Sequence, residues 1–295
     1  MSEVGQSSAS LATPGAATVP AEAATDRGTP PGERRFVPSR GSLGRLAISC
    51  TAVAAVLFTW WLVTRLGLVT PLFLPSPGSV VQAFVTASTE GYRGFLLWEH
   101  LAISLQRVGI AFFLALAIAV PLGMLVASSR TLETIVDPFV NFYRPLPPLA
   151  YYTLLVIWFG IGEQSKVLLL LLAAFPPLFI AVVGGVRGVR SERINAARSL
   201  GAGRLKTLRY VIFPSILPDV FTGVRVAIGF TYTTLVAAEM VAAKTGIGWL
   251  VLDASRFLQT SYVFMGIIVM GVTGILLDAV VKALQRRMVP WLGKA

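Results

Sequence analysis

Asp219, Arg225 and Glu239 stand inside one long apolar run, 216–243. Charge within a membrane-length apolar segment is costly and points to function by default. Asp219 and Arg225 are about 9 Å apart along a helix, and Glu239 lies about 21 Å beyond Arg225. The first two have two readings: structural ion pairing, with the basic segment that precedes them or with Asp278, or a functional role. Glu239 either lines a pore or builds an outer gate. Arg107, at the end of another apolar run, is either an interface anchor or a basic residue at the mouth of a path. Tyr151, Tyr152, Thr231, Tyr232, Thr233 and Thr234 add hydroxyls within apolar segments. They either line a path for a polar solute or bond to helix carbonyls.

Enzyme chemistry has little to work with. No G-x-S-x-G or H-E-x-x-H is present. No phosphate loop of the G-x-x-x-x-G-K-[ST] type occurs, and GAGRLKT at 201–207 has the wrong spacing. The single Cys50 and single His100 exclude a disulfide framework, a thiolate zinc site and a multi-histidine metal site. His100 reads as an interfacial residue, with a proton relay as the alternative. No cofactor is expected.

These residues sit in a chain that is 55% hydrophobic and only 13% charged. Soluble domains are about 25% charged, so the composition describes an all-α polytopic membrane protein. The net charge of +11 would suggest nucleic acid in a soluble protein. Here the cations gather at the ends of apolar runs, as the positive-inside rule requires, and no nucleic acid is expected.

Residues 1–40 are poor in large apolar side chains and predict a disordered cytoplasmic tail. The first span covers 46–64, with four arginines before it and Arg65 after it, which places the N-terminus inside. Residues 66–99 follow as an outer connection with a short interfacial helix near 79–87. The second span is 108–127. The third is the run 149–161, too short alone, with 136–143 supplying its first turns and the prolines between them bending it. The fourth, 167–186, is broken at its midpoint by Pro176 and Pro177. The fifth is 216–243 and the sixth 263–281, giving six spans with both termini inside.

Between the fourth and fifth spans lies a polar, basic segment, 187–218. From Arg187 to Arg209 it holds seven Lys/Arg and one acid, Glu192. Its cations predict a cytoplasmic position. Ala196, Ala197, Gly201, Val211 and Pro214 spell a short helix, a glycine turn and a second short helix stopped by proline. That shape suits docking into a groove on another protein.

The order Asn195-Ala196-Ala197, Gly201, then Val211-Ile212-Phe213-Pro214 resembles the coupling loop of binding-protein-dependent ABC importer permeases. In that family the Asn195 position is usually Glu. Further segments are similar to the sulfonate/nitrate/taurine permeases, nearest their taurine branch: TPLFLPSP (70–77), LWEHLAISLQR (97–107), DPFVNFYRPLPPLAY (137–151), VIWFGIGEQSK (156–166) and ALQRRMVPW (283–291). The resemblance implies a type I ABC importer permease fold in the bacterial inner membrane. It implies a homodimer of this chain, an ABC ATPase dimer and a periplasmic substrate-binding protein, with taurine or a related small sulfonate as solute. It divides the chain into the tail 1–40, a first helix and periplasmic connection 41–97, a permease domain 98–287 and a cytoplasmic tail 288–295. ATPase coupling then falls to Asn195, Ala196, Ala197, Gly201, Val211 and Pro214. The path or gate is expected among Tyr151, Tyr152, Arg107, Arg225, Thr233 and Glu239. An alkanesulfonate or nitrate permease and, more distantly, an ion-coupled secondary transporter are the competing readings.

Overall fold

The computed structural model describes residues 42–290, so the expected tail 1–40 and the last residues of 288–295 lie outside the described residues. The chain divides into Met1–Ala54 and Ala55–Ala295. The described part of the first unit is the opening of α1, and every contact below belongs to the second. The helices are α1 (Ser42–Arg65), α2 (Pro77–Thr89), α3 (Leu97–Ala127), α4 (Arg130–Tyr143), α5 (Pro148–Phe159), α6 (Glu163–Gly188), α7 (Ser191–Ser199), α8 (Arg204–Thr207), α9 (Phe213–Ala242), α10 (Ile247–Arg256) and α11 (Thr260–Met288). No strand is present among the described residues.

Among the described residues, five helical segments are long and apolar enough to cross a membrane: Ala47–Arg65, Leu97–Ala127, Glu163–Gly188, Arg204–Val241 and Thr260–Met288. The sixth apolar helix, α5, has 12 residues and rises about 18 Å. It does not merge with 136–143. The chain breaks between α4 and α5 because Pro145, Pro147 and Pro148 withdraw three backbone donors in four residues.

The core is α6 held between α3 and α9. Leu178, Phe179 and Val182 of α6 meet Ala115 and Ala119 of α3 and Ile216, Phe221 and Val224 of α9. In lipid the packing of small residues drives such association more than hydrophobicity does. Here glycine sets the spacing. A Cβ on Gly123 would lie 2.8 Å from Val182 Cγ1, one on Gly185 3.0 Å from Asp219 Cβ, and one on Gly223 would collide with Ala181.

Two expectations about proline are corrected. Pro176 and Pro177 do not break the fourth span, because α6 runs continuously through them. Pro176 has no N–H for the carbonyl of Leu172. The Tyr143 hydroxyl donates to that carbonyl instead, at 2.9 Å. Likewise, Pro214 does not stop the second helix of the basic segment. From Arg204 the helix passes through a π turn, Leu208–Ile212, straight into α9. The Phe213 N–H reaches back to the Leu208 carbonyl, so the bonding register shifts just before the proline. The Ser215 hydroxyl meets the Val211 carbonyl at 2.7 Å.

Overpacking a close helix contact costs about 1–3 kcal/mol. Gly223→Val forces a side chain against Ala181 and the Pro177 carbonyl, so it lowers the thermal midpoint of the protein purified in detergent. Gly229→Val, where an added Cβ meets nothing within 4 Å, leaves the midpoint nearly unchanged. Equal effects would contradict the packing described.

Candidate functional site

One face of α3 carries His100, Ser104 and Arg107 at i, i+4 and i+7, all buried. This spacing puts three polar groups in one line. They face Glu239 of α9, whose exposure is 0%. Arg107 Nη1 donates to Glu239 Oε1 at 2.6 Å and to the Thr245 carbonyl at 2.9 Å. Its Nε and Nη2 grip Glu163 at 2.6 and 2.7 Å, and Nη2 also reaches Thr245 Oγ1 at 3.4 Å. Every N–H of the guanidinium therefore has an acceptor. Lys166, itself buried, holds Glu163 from the other side at 2.9 Å. Two cations and two carboxylates balance.

The same carboxylate organises α10. Gly248 N–H donates to Glu239 Oε2 at 2.9 Å, and Ile247 N–H to Ser104 Oγ at 3.0 Å. Ser104 in turn donates to Glu239 Oε1 at 2.8 Å. Gly246 N–H donates to His100 Nδ1 at 3.1 Å. An imidazole that accepts at Nδ1 has its proton on Nε2, which meets the Tyr92 carbonyl at 3.2 Å. The first amides of α10, which no helix can satisfy internally, thus find partners on α3 and α9. Gly246 is required here: its φ is +119°, and a Cβ would strike the Glu239 carboxylate.

The knot corrects two expectations. Arg107 is 3% exposed and is no interface anchor. His100 is 0% exposed, stacked on Trp249, and is a buried structural residue. A clasp next to the knot ties the turn before α3 to α10: Tyr92 Oη donates to Asp253 Oδ2 at 2.8 Å and Arg93 pairs with the same oxygen at 3.0 Å. Burial, helped by the Asp253 carboxylate, pushes the Tyr92 hydroxyl up to about 12.

The remaining predicted residues scatter. Arg225 pairs with Asp278 at 3.0 Å, one of the two pairings expected for it, and shares a hollow of about 320 Å³ with Thr233. Asp219 packs against Gly185 instead. Thr231, Thr233 and Thr234 all donate back to carbonyls of their own helix. Tyr152 is buried, and among the described residues its hydroxyl has no hydrogen-bond partner. Tyr151 bonds to Tyr143 at 2.9 Å beside a cavity of about 330 Å³ between α5, α6 and α9. Sequence reasoning passed over Ser104, Glu163, Lys166, Tyr143 and Arg144. The polar line on α3 was the readable signal for the first of these.

The basic segment forms an elbow. α7 presents Asn195 and Ala196 to the outside, with Ala197 half-buried. Gly201 turns the chain at φ +80°. Leu200, Leu205 and Tyr210 are 89%, 76% and 70% exposed, so apolar side chains and cations share one uncovered surface. Val211 lies in the π turn and Pro214 in the first turn of α9.

Residues 119–290 match the family profile "Binding-protein-dependent transport system inner membrane component". The chain belongs to this family. It is a transport permease of the ABC importer class, not an enzyme, and ATP hydrolysis lies on a separate subunit. Membership implies an ATPase subunit and a substrate-binding protein as partners, and a multi-pass position in the inner membrane. The taurine transport system permease protein TauC of Escherichia coli is 45% identical over 251 residues, 85% of this chain and 91% of that one. An aliphatic sulfonates permease protein of Bacillus subtilis, SsuC, is 33% identical over 88% of this chain and 90% of its own length. The nitrate import permease protein NrtB of Leptolyngbya laminosa is 33% identical over 68% and 73%. An inward-facing structure of the MetNI methionine ABC transporter shares the fold, with a TM-score of 0.54 at 19% identity over 65% of this chain and 93% of that one. The all-α importer permease fold expected from sequence is the fold observed.

Removing one partner of a buried charge pair costs about 3–5 kcal/mol. Glu239→Ala leaves Arg107 half-paired and the Gly248 amide bare, so its loss of thermal stability falls in that range. Glu163→Ala costs less, because the Glu163 side chain is 60% exposed. Thermal unfolding in one detergent compares the two. A larger loss for Glu163→Ala would contradict the knot.

Proposed function

We propose that this chain is the membrane-spanning permease of an ATP-driven importer for taurine or a related small sulfonate. The observation that carries the reading is the 45% identity to a taurine permease over most of both chains, beside an elbow built for docking. In this reading two copies of the chain form the path and two ATPase subunits grip their elbows. A periplasmic binding protein delivers the solute from the other face. Both termini lie in the cytoplasm, with 1–40 and 288–295 as tails, 41–97 as first helix and connection, and 98–287 as the permease domain.

Asn195, Ala196, Ala197 and Gly201 make the ATPase contact, and Val211 and Pro214 join it to α9. An unbroken helix passes the elbow's movement on as a rigid body, the kind of displacement that switches a bundle between two openings. Arg107, Glu239 and Tyr152 are supports of the outer gate. Tyr151, Arg225 and Thr233 face the path from the two hollows. The alkanesulfonate and nitrate readings rest on relatives of 33% identity and are the outcomes to separate.

Deleting the gene in its host abolishes growth on taurine as sole sulfur source and leaves growth on sulfate intact. Gly201→Asp, which strains a left-handed turn and puts an acid on a basic surface, abolishes uptake while the protein still inserts. Taurine growth after deletion, in a host without a second system, would move the assignment to another sulfonate or to nitrate.

A further inference from the structure

The cavity between the α4–α5 break, the proline pair of α6 and Gly223 of α9 has a polarity that its hydrogen bonds dictate. A tyrosine hydroxyl has one proton to give. The proton of Tyr143 goes to the Leu172 carbonyl at 2.9 Å, since a carbonyl only accepts. Tyr143 must then accept at its bond with Tyr151, so the proton of Tyr151 is committed as well. What Tyr151 turns to the cavity is an acceptor. Thr222, on the same wall, gives its proton to the Pro218 carbonyl at 3.0 Å and is also an acceptor.

Against these stands one cation. Arg144 lines the cavity, and among the described residues no carboxylate lies within ion-pair distance of it. The rest of the wall is apolar, with Pro148, Pro176 and Phe230 prominent. A volume of about 330 Å³ is at the small end of ligand sites.

We propose that this cavity is a solute subsite for zwitterionic aminosulfonates. Arg144 takes the sulfonate, the acceptors headed by Tyr151 take the ammonium, and the apolar wall takes the methylenes. This rests on the importer reading above and narrows it. A guanidinium fork matches a sulfonate's oxygens. Acceptors whose own protons are committed favour a ligand with N–H donors. Nitrate has neither donor nor methylene, and a plain alkanesulfonate leaves the acceptors unpaired, which disfavours both.

The test uses the permease with its ATPase in lipid nanodiscs, without the binding protein, and titrates taurine and ethanesulfonate calorimetrically. Tyr151→Phe removes the acceptor but keeps the ring. A hydrogen bond to a charged group is worth about 10- to 100-fold in affinity, so taurine binding weakens by that factor and ethanesulfonate binding is unchanged. Arg144→Gln weakens both ligands. Unchanged taurine binding in Tyr151→Phe, equal loss of both ligands, or no taurine binding by the native complex would overturn the subsite. ATP-driven taurine uptake by the native complex, with its binding protein restored, reports on the importer reading independently. Uptake without the selective loss sinks the subsite alone, and absence of uptake sinks the importer reading.

Discussion

Glu239 is fully buried, and three groups share its charge. Arg107, Ser104 and the Gly248 amide bond to it directly, and the chain wraps it closely enough that only glycine fits at 246. In an apolar surrounding every polar group must find its partner within the protein. That constraint explains why three helices meet at one carboxylate, and why α10 begins where it does. It also explains the charge balance of the knot, two cations against two carboxylates, of which only Glu163 keeps contact with solvent.

The same constraint governs the backbone. A proline inside a helix frees a carbonyl, and at two such prolines the protein answers locally. Tyr143 covers Leu172, and a π turn shifts the register ahead of Pro214. Because these repairs hold, α9 is continuous with the basic elbow at one end and carries Glu239 near the other. From Arg204 onward the helix runs without a break to the knot. The proposed coupling rests on that continuity, and family membership implies the ATPase partner.

Much of this was legible in the residues. Apolar length located the long helices, and glycine and proline punctuation located the elbow. The prolines misled twice, because a sequence shows a missing donor but not the distant hydroxyl or altered register that replaces it. The short run 149–161 was recognised as too short, yet its separation from α4 depended on three prolines acting together. Arg107 at the end of an apolar run looks like an anchor until Glu163 and Glu239, 56 and 132 residues away, are brought to it. Ser104 was readable from its register with His100 and Arg107. Tyr143 was not, because its role arises only once Pro176 has stripped the Leu172 carbonyl of its donor.

The claim that the elbow is the handle of a driven transporter is tested most directly by a crosslink. Ala197→Cys is paired with a cysteine placed in the surface groove of the partner ATPase, in membranes containing the whole transporter. The disulfide is expected to form and to block ATP-driven taurine uptake, and a reductant to restore it. Failure to crosslink at any groove position while uptake proceeds normally would contradict the claim.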